Sequence, residues 1–412
     1  MPSRRGFVVF GAGIGLWIAA RLVGSPDLHI VAVGVALLPL AAGGFARWSR
    51  ANLEVTRRLS ATRVVPGQRV RIELEVENRS PATTSFVLLE DEVPPALGRP
   101  ARLVLTGLPA HSSQRVAYSV VCRTRGRYHI GPLRIDISDP FALTKLRLEY
   151  PDRDELVVFP EVEELRAGLS SQFGSGAGES ASRHLFRTGE EFFTMREYQV
   201  GDDLRRIHWP SVARRGRLMI RQDESARRSL ATVFLDTRLS ALGHAHTPSF
   251  EKAVSAAASI GVHLSRSGYA LRLAAGTSRP VGVSEEGFLE ALAQVMHSPS
   301  RPLANMLLQL RTQAVADSTL VIVTAPLPPT EIAAVTRLGT VFGPKVAVLV
   351  YPVDPASLPP QRRTVVEGQA TTAQLSLARA GWDVFLLRPQ ARLQDLWHAN
   401  RKRLPAAIAS LR

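Results

Sequence analysis

Hydrophobic positions follow three successive patterns along the chain. Two unbroken apolar runs come first, Phe7 to Val23 and Leu28 to Ala46, both free of Asp, Glu and Lys, with Arg21 near the end of the first. Each approaches the roughly 17–25 residues that a bilayer-spanning helix needs. Gly24-Ser25-Pro26-Asp27 between them is turn chemistry, so residues 1–50 read as a transmembrane hairpin. A cleaved signal peptide is the alternative for the first run, and the second run directly behind it argues against this. From residue 51 to about 150 the pattern shifts to period two. Arg69 to Asn78, Ser85 to Asp91, Ala101 to Leu108 and Gln114 to Arg123 alternate apolar with polar between Pro-, Gly- and Ser-rich turns. Short strands at this spacing predict an antiparallel, Ig-like β-sandwich.

Residues 151–188 read as a connection. Glu155 to Leu165 begins as a strand, and Ser170 to Ser182 is a Gly/Ser/Ala-rich linker. Beyond Leu230 strand and helix alternate. The apolar strand Leu230 to Leu235 ends at Asp236, and Pro248 to Gly268 is a helix with a glycine stop. Ala270 to Gly276, Thr319 to Ala325, Val346 to Pro352 and Asp383 to Pro389 are further strands, with helices at Glu285 to His297 and Leu303 to Ala314. This alternation predicts a doubly wound α/β sheet within residues 189–412, Asp236 standing at the carboxyl end of a strand where ligands bind.

Charge then fixes the expected orientation. Arg4 and Arg5 precede the hairpin, and Arg47, Arg50, Arg57 and Arg58 follow it. The positive-inside tendency therefore puts both termini and the soluble domains in the cytoplasm of a two-pass plasma-membrane protein. The single cysteine, Cys122, excludes an internal disulfide and agrees with that compartment. Overall, 51 Lys+Arg stand against 36 Asp+Glu, a net +15. That balance admits a nucleic-acid-binding protein as an alternative, although acids are interleaved throughout and no nucleic-acid motif is present. Val8 to Gly15 (VVFGAGIG) resembles a dinucleotide turn only superficially, since Leu16 stands where the third glycine belongs. The Gly176 neighbourhood lacks the Lys-Ser/Thr of a phosphate-binding loop.

The densest chemistry lies between Gly189 and Leu218. Glu190, Arg196, Glu197, Tyr198, Gly201, Asp202, Asp203, Arg205, His208, Trp209 and Arg214 mix acids, arginines and aromatics there. The pattern GEEF-x3-REY-x2-GDD-x-R-x-IHW-x3-AR-x2-RL closely resembles the signature of the domain-of-unknown-function 58 family, and Arg123 to Leu143 resembles a second family element, with Ala142 in place of its final glycine. The resemblance implies a membrane-anchored bacterial protein with a von Willebrand factor A (vWA)-like domain. It also implies MoxR-type AAA+ ATPases and transglutaminase-like membrane proteins as partners. The implied role is a non-enzymatic adaptor or assembly factor, with cell-envelope processes as its setting. Glu190, Arg196, Glu197, Tyr198, Gly201, Asp202, Asp203, Arg205, Trp209 and Arg214 would then form either a docking surface or an internal latch; the residues alone leave both open.

Two catalytic or metal readings compete with this. A working vWA domain holds a divalent cation through Asp-x-Ser-x-Ser, a Thr and a later Asp, all hard oxygen ligands. Here the motif reads Asp236-Thr237-Arg238-Leu239-Ser240, and Ala325 replaces the later Asp. Asp236 and Ser240 remain as residual positions. Either Arg238 neutralises Asp236 in place of a cation or Asp236 caps the next helix, so neither cofactor nor catalytic residue is expected. A hydrolase built on Asp202, Asp203 and His208 is disfavoured because adjacent carboxylates on an extended segment point to opposite sides. His244 and His246 lack a third ligand.

Overall fold

The computed structural model describes residues 3–50, 53–81, 83–84, 86–138, 143, 145–165, 193–198, 207–223, 229–276, 281–299 and 302–398. The chain divides into two compact units, residues 1–159 and 160–412. In the first unit, α1 (Arg4–Val23) and α2 (Pro26–Arg50) form an antiparallel pair, and both are long and apolar enough to cross a membrane. Their outer faces expose Phe7, Trp17, Leu22, Ile30 and Leu40, as a lipid-facing helix pair would. Ser3 caps α1 by accepting from the Gly6 amide at 3.0 Å, and the Ser3 amide donates to the Leu143 carbonyl at 2.8 Å.

Gly13 permits the close approach of α1 and α2. A Cβ there would lie 2.7–2.9 Å from backbone and side-chain atoms of Ala36, whereas one at Gly11 would meet open space. Gly13→Leu should therefore splay the hairpin, overpacking costing about 1–3 kcal/mol. The check is crosslinking between paired cysteines on α1 and α2 in the membrane. Crosslinking should fall for Gly13→Leu and hold for Gly11→Leu; equal yields would dissolve this account of the contact.

The remainder of the first unit is all β. β1 (Leu53–Leu59), β2 (Arg63–Val64), β3 (Arg69–Asn78), β4 (Phe86–Asp91), β5 (Ala101–Thr106), β6 (Ser112–Val121), β7 (Gly126–Ile130), β8 (Leu133–Ser138), β9 (Lys145–Tyr150) and β10 (Asp154–Val158) form three sheets. Their orders are β1-β3-β6, β2-β10-β7 and β5-β4-β8-β9. The alternation in β3 buries Val70, Ile72, Leu74 and Val76 and leaves the arginines and glutamates between them less buried. Leu74 and Val76 join Val87, Leu89, Ile135 and Ile137 from the four-stranded sheet in one core. Ile72 joins Ile130, Leu156 and Cys122 in a second.

Two expectations change here, and one stretch gains its strands. The first unit extends past residue 150, because β10 pairs antiparallel with β7 and parallel with β2. Within the stretch from Arg123 to Leu143, expected inside the β domain and as a family element, Gly126–Ile130 and Leu133–Ser138 form β7 and β8. Arg57, counted among the arginines flanking the hairpin, is instead buried inside the β unit. β1 already begins at Leu53, so Arg57 sits mid-strand with its side chain only 7% exposed.

In the second unit, β11 (Phe193–Glu197) and β12 (Met219–Asp223) form an antiparallel ribbon with the short helix α3 (Trp209–Arg215) between them. A six-stranded sheet follows. It contains β13 (Leu230–Leu235), β14 (Ala270–Ala275), β15 (Val281–Val283), β16 (Thr319–Thr324), β17 (Lys345–Val350) and β18 (Asp383–Leu387), in the order β15-β14-β13-β16-β17-β18. All neighbours are parallel except β15, an antiparallel edge strand that the sequence pattern did not predict. The connecting helices are α4 (Leu239–Leu242), α5 (Pro248–Arg266), α6 (Glu285–Gln294), α7 (Leu303–Thr312), α8 (Pro329–Gly339) and α9 (Pro360–Arg379).

Strand residues alternate between two cores. Val233, Leu235, Val321 and Val323 pack with α5 and α6, while Phe234, Leu320 and Ile322 pack with α7, α8 and α9. Helices thus cover both faces, which explains why these strands are continuous apolar runs. The entry to this unit is pinned by Glu163. Its carboxylate accepts from Lys252 at 3.1 Å and from the Gln394 amide at 3.0 Å, and Leu165 enters the first of the two cores.

Candidate functional site

The carboxyl ends of the parallel strands gather a buried charge cluster. β13 stops at Leu235, and the next residue, Asp236, is 0% exposed. Its backbone N–H still donates to Val323 at 2.9 Å, so the carboxylate is aimed from a fixed point. The Arg238 guanidinium, 7% exposed, grips it with Nη2 at 2.8 Å from Oδ2 and Nε at 3.0 Å from Oδ1. The Arg238 backbone N–H adds a 3.1 Å bond to Oδ1, and the Thr324 hydroxyl donates to Oδ2 at 2.8 Å. On its far side the same guanidinium donates Nη1 to Glu331 Oε1 at 2.6 Å and Nη2 to Oε2 at 3.0 Å. Glu331 lies in the first turn of α8, where the helix dipole also favours a carboxylate.

One planar cation therefore bridges two carboxylates by a fork on each side. Burial works against the charge on Arg238, but the bonds to Glu331 and Asp236 outweigh it and hold the guanidinium above its ordinary pKa. The surrounding loops leave little slack. Gly276 ends β14 at φ +57°, and a Cβ there would stand 2.4 Å from Thr237 Oγ1, which is itself 2.9 Å from Ser298 Oγ.

Asp236 thus pairs with Arg238 as expected and does not cap α4, since its backbone bond goes to Arg238, one residue before that helix. Ser240 lies exposed in α4. Glu331 and Thr324 went unnoticed in the sequence; the only cue was an acid directly after the Pro-Pro-Thr that opens a helix. The histidines do not converge. His244 meets His297 edge-on at 4.9 Å, and His246 lies 3.3 Å from Glu251. Among the described residues no group of three or more His, Cys, Asp or Glu is placed to hold a metal ion.

The signature stretch forms the second station. Of its candidate residues, Glu190, Gly201, Asp202, Asp203 and Arg205 lie outside the described residues. Arg196 is in β11, its backbone in register with Ile220. Glu197 and Arg217 form an exposed ion pair at 2.8 Å, and the Tyr198 amide donates to Leu218 at 2.9 Å. Met219 and Ile220 of β12 are buried and anchor the ribbon, and the His208 amide donates to Met219 at 2.9 Å. His208 Nδ1 lies 3.0 Å from Ser211 Oγ at the start of α3. α3 has no buried residue: Trp209 is 66% exposed, and Arg214 and Arg215 are exposed as well. Among the described residues of this stretch, α3 carries no buried side chain while β12 contributes the buried Met219 and Ile220.

With this geometry in hand, residues 194–383 match the family described as protein of unknown function DUF58. That match spans just under half of the chain. It contains both stations, from β11 to the start of β18. A curated relative, the uncharacterized protein YeaD of Bacillus subtilis (strain 168), is 25% identical over 235 residues, 55% of this chain and 56% of that protein. The match thus spans little more than half the length of that relative. Two solved structures that match part of the chain are a domain and a sporulation protein. The CARDB domain of a Pyrococcus furiosus protein, in complex with di-metal ions, is 12% identical with a TM-score of 0.20, covering 26% of this chain and 92% of that one. The sporulation control protein Spo0M of Bacillus subtilis gives 12% and 0.17, covering 36% and 58%.

Proposed function

We propose that this DUF58 chain is a membrane-anchored, non-enzymatic adaptor or assembly factor. In this reading the first unit is a β-sandwich on a two-pass hairpin with both ends cytoplasmic. The second unit is a vWA-like domain that works without a metal, and the partner is a MoxR-type AAA+ ATPase, with a transglutaminase-like membrane protein as a further associate. One observation carries the reading: the Arg238 guanidinium lies between Asp236 and Glu331, so the carboxylate left from the cation motif is already held by a cation of the chain itself. A buried cation supplied by the chain itself satisfies those carboxylates without a metal and leaves no open coordination position for chemistry.

The test uses full-length protein crosslinked in its native membrane, gently extracted and analysed for co-purifying proteins with and without EDTA. A MoxR-type ATPase recovered equally in both arms supports the reading. Recovery abolished by EDTA and restored by Mg²⁺ would replace it with cation-mediated adhesion. Absence of any ATPase would end the adaptor assignment.

A further inference from the structure

We infer that α3 and the turn behind it form a docking face for an acidic protein segment that carries an apolar side chain. This names the partner chemistry of the proposed adaptor and rests on that reading. Trp209 opens α3 with two-thirds of its surface exposed, and Leu218, on the turn into β12, is 42% exposed. Trp and Arg dominate the few residues that carry binding energy at protein interfaces. Arg214 and Arg215 occupy the last turn of α3 and have no carboxylate partner among the described residues. Arg217 beside them is already neutralised by Glu197.

The element therefore offers an exposed indole and leucine together with two exposed guanidinia that have no carboxylate partner among the described residues, and the buried Met219 and Ile220 follow it in β12. Carboxylates match the guanidinia bidentately, and an apolar side chain matches the indole and leucine. The Glu197–Arg217 pair favours a peptide over nucleic acid, because a continuous phosphate track would meet that exposed carboxylate at 2.8 Å from its arginine.

The experiment selects phage-displayed short random peptides on the full-length protein in neutral-lipid nanodiscs. Parallel selections use Trp209→Ala and the double variant Arg214→Glu/Arg215→Glu. None of the three substituted residues is itself buried, and unchanged melting temperatures verify folding. Wild type should enrich peptides combining Asp/Glu with an aromatic or large aliphatic residue. A synthesised winner should bind Trp209→Ala roughly thirtyfold or more weakly, and the charge-reversed protein should enrich Lys/Arg peptides instead. Acidic winners that bind both variants as tightly as wild type would overturn this face while leaving the adaptor reading standing. No enriched peptide at all would count against both. Binding of a single-stranded oligonucleotide or of anionic vesicles that Trp209→Ala abolishes would reassign the face to that ligand.

Discussion

Replacing Arg238 by Ser is expected to destabilise the second unit by about 3–5 kcal/mol, the usual cost of stranding a buried charge. Asp236 is fully buried and keeps only the Thr324 hydroxyl and a backbone amide once the guanidinium is gone. Glu331 loses both of its short bonds to Arg238. The chain has two units, so a single unfolding curve would blend them. Hydrogen exchange followed peptide by peptide in β13 and β16 isolates the effect, because those central strands report the unit's deepest opening. Arg238→Lys should fall between wild type and Arg238→Ser, since one ammonium cannot fork onto both carboxylates.

A metal arm makes this result specific. Asp236, Glu331 and Thr324 are hard oxygen ligands, and removing Arg238 leaves room between them. Millimolar Ca²⁺ or Mg²⁺ should therefore protect β13 and β16 in Arg238→Ser and leave wild type unchanged. Protection of wild type as well would mean that the guanidinium does not substitute for a cation. A loss below about 1 kcal/mol in Arg238→Ser, the range of an exposed pair, would mean that the cluster is solvated.

This site also marks how far the sequence could be read. Local periodicity is enough for β13, β16 and β17, because a strand buried on both faces must be a continuous apolar run. That Asp236 stands at a strand's carboxyl end follows from the same run. The partner at Glu331 is 93 residues from Arg238, and no periodic signal spans that distance. β15 is three residues, Val281 to Val283, at the sheet edge, too short to show any period. Arg57 misled for a related reason. Arginines after an apolar helix look like membrane-flanking charge, and only the pairing of β1 with β3 turns Arg57 inward.

That inward turn underlies the other large effect expected. Arg57→Met should cost the first unit about 3–5 kcal/mol, by the same logic of an unpaired buried carboxylate. Asp91, 0% exposed, receives Arg57 Nη2 at 2.7 Å and Nε at 3.1 Å, and the Tyr118 hydroxyl at 2.6 Å. Burial and the adjoining Asp91 carboxylate push the Tyr118 hydroxyl far above its usual range, so it remains a donor. Arg57 Nη1 reaches Asp154 at 2.9 Å and the Asp152 carbonyl at 3.1 Å. One guanidinium thereby ties β1 to β4 and to the start of β10, strands of three different sheets. Hydrogen exchange should rise in β1, β4 and β10 together in Arg57→Met. Tyr118→Phe should cost less, about 1.5–3 kcal/mol, because it removes one bond to a charged group. The double variant Arg57→Met/Asp91→Leu decides between a stranded charge and a lost anchor. If the stranded carboxylate sets the cost, the double variant should be more stable than Arg57→Met alone. If it is as unstable as the sum of the single variants, the guanidinium's hold on Asp152 and Asp154 matters more than its pairing with Asp91.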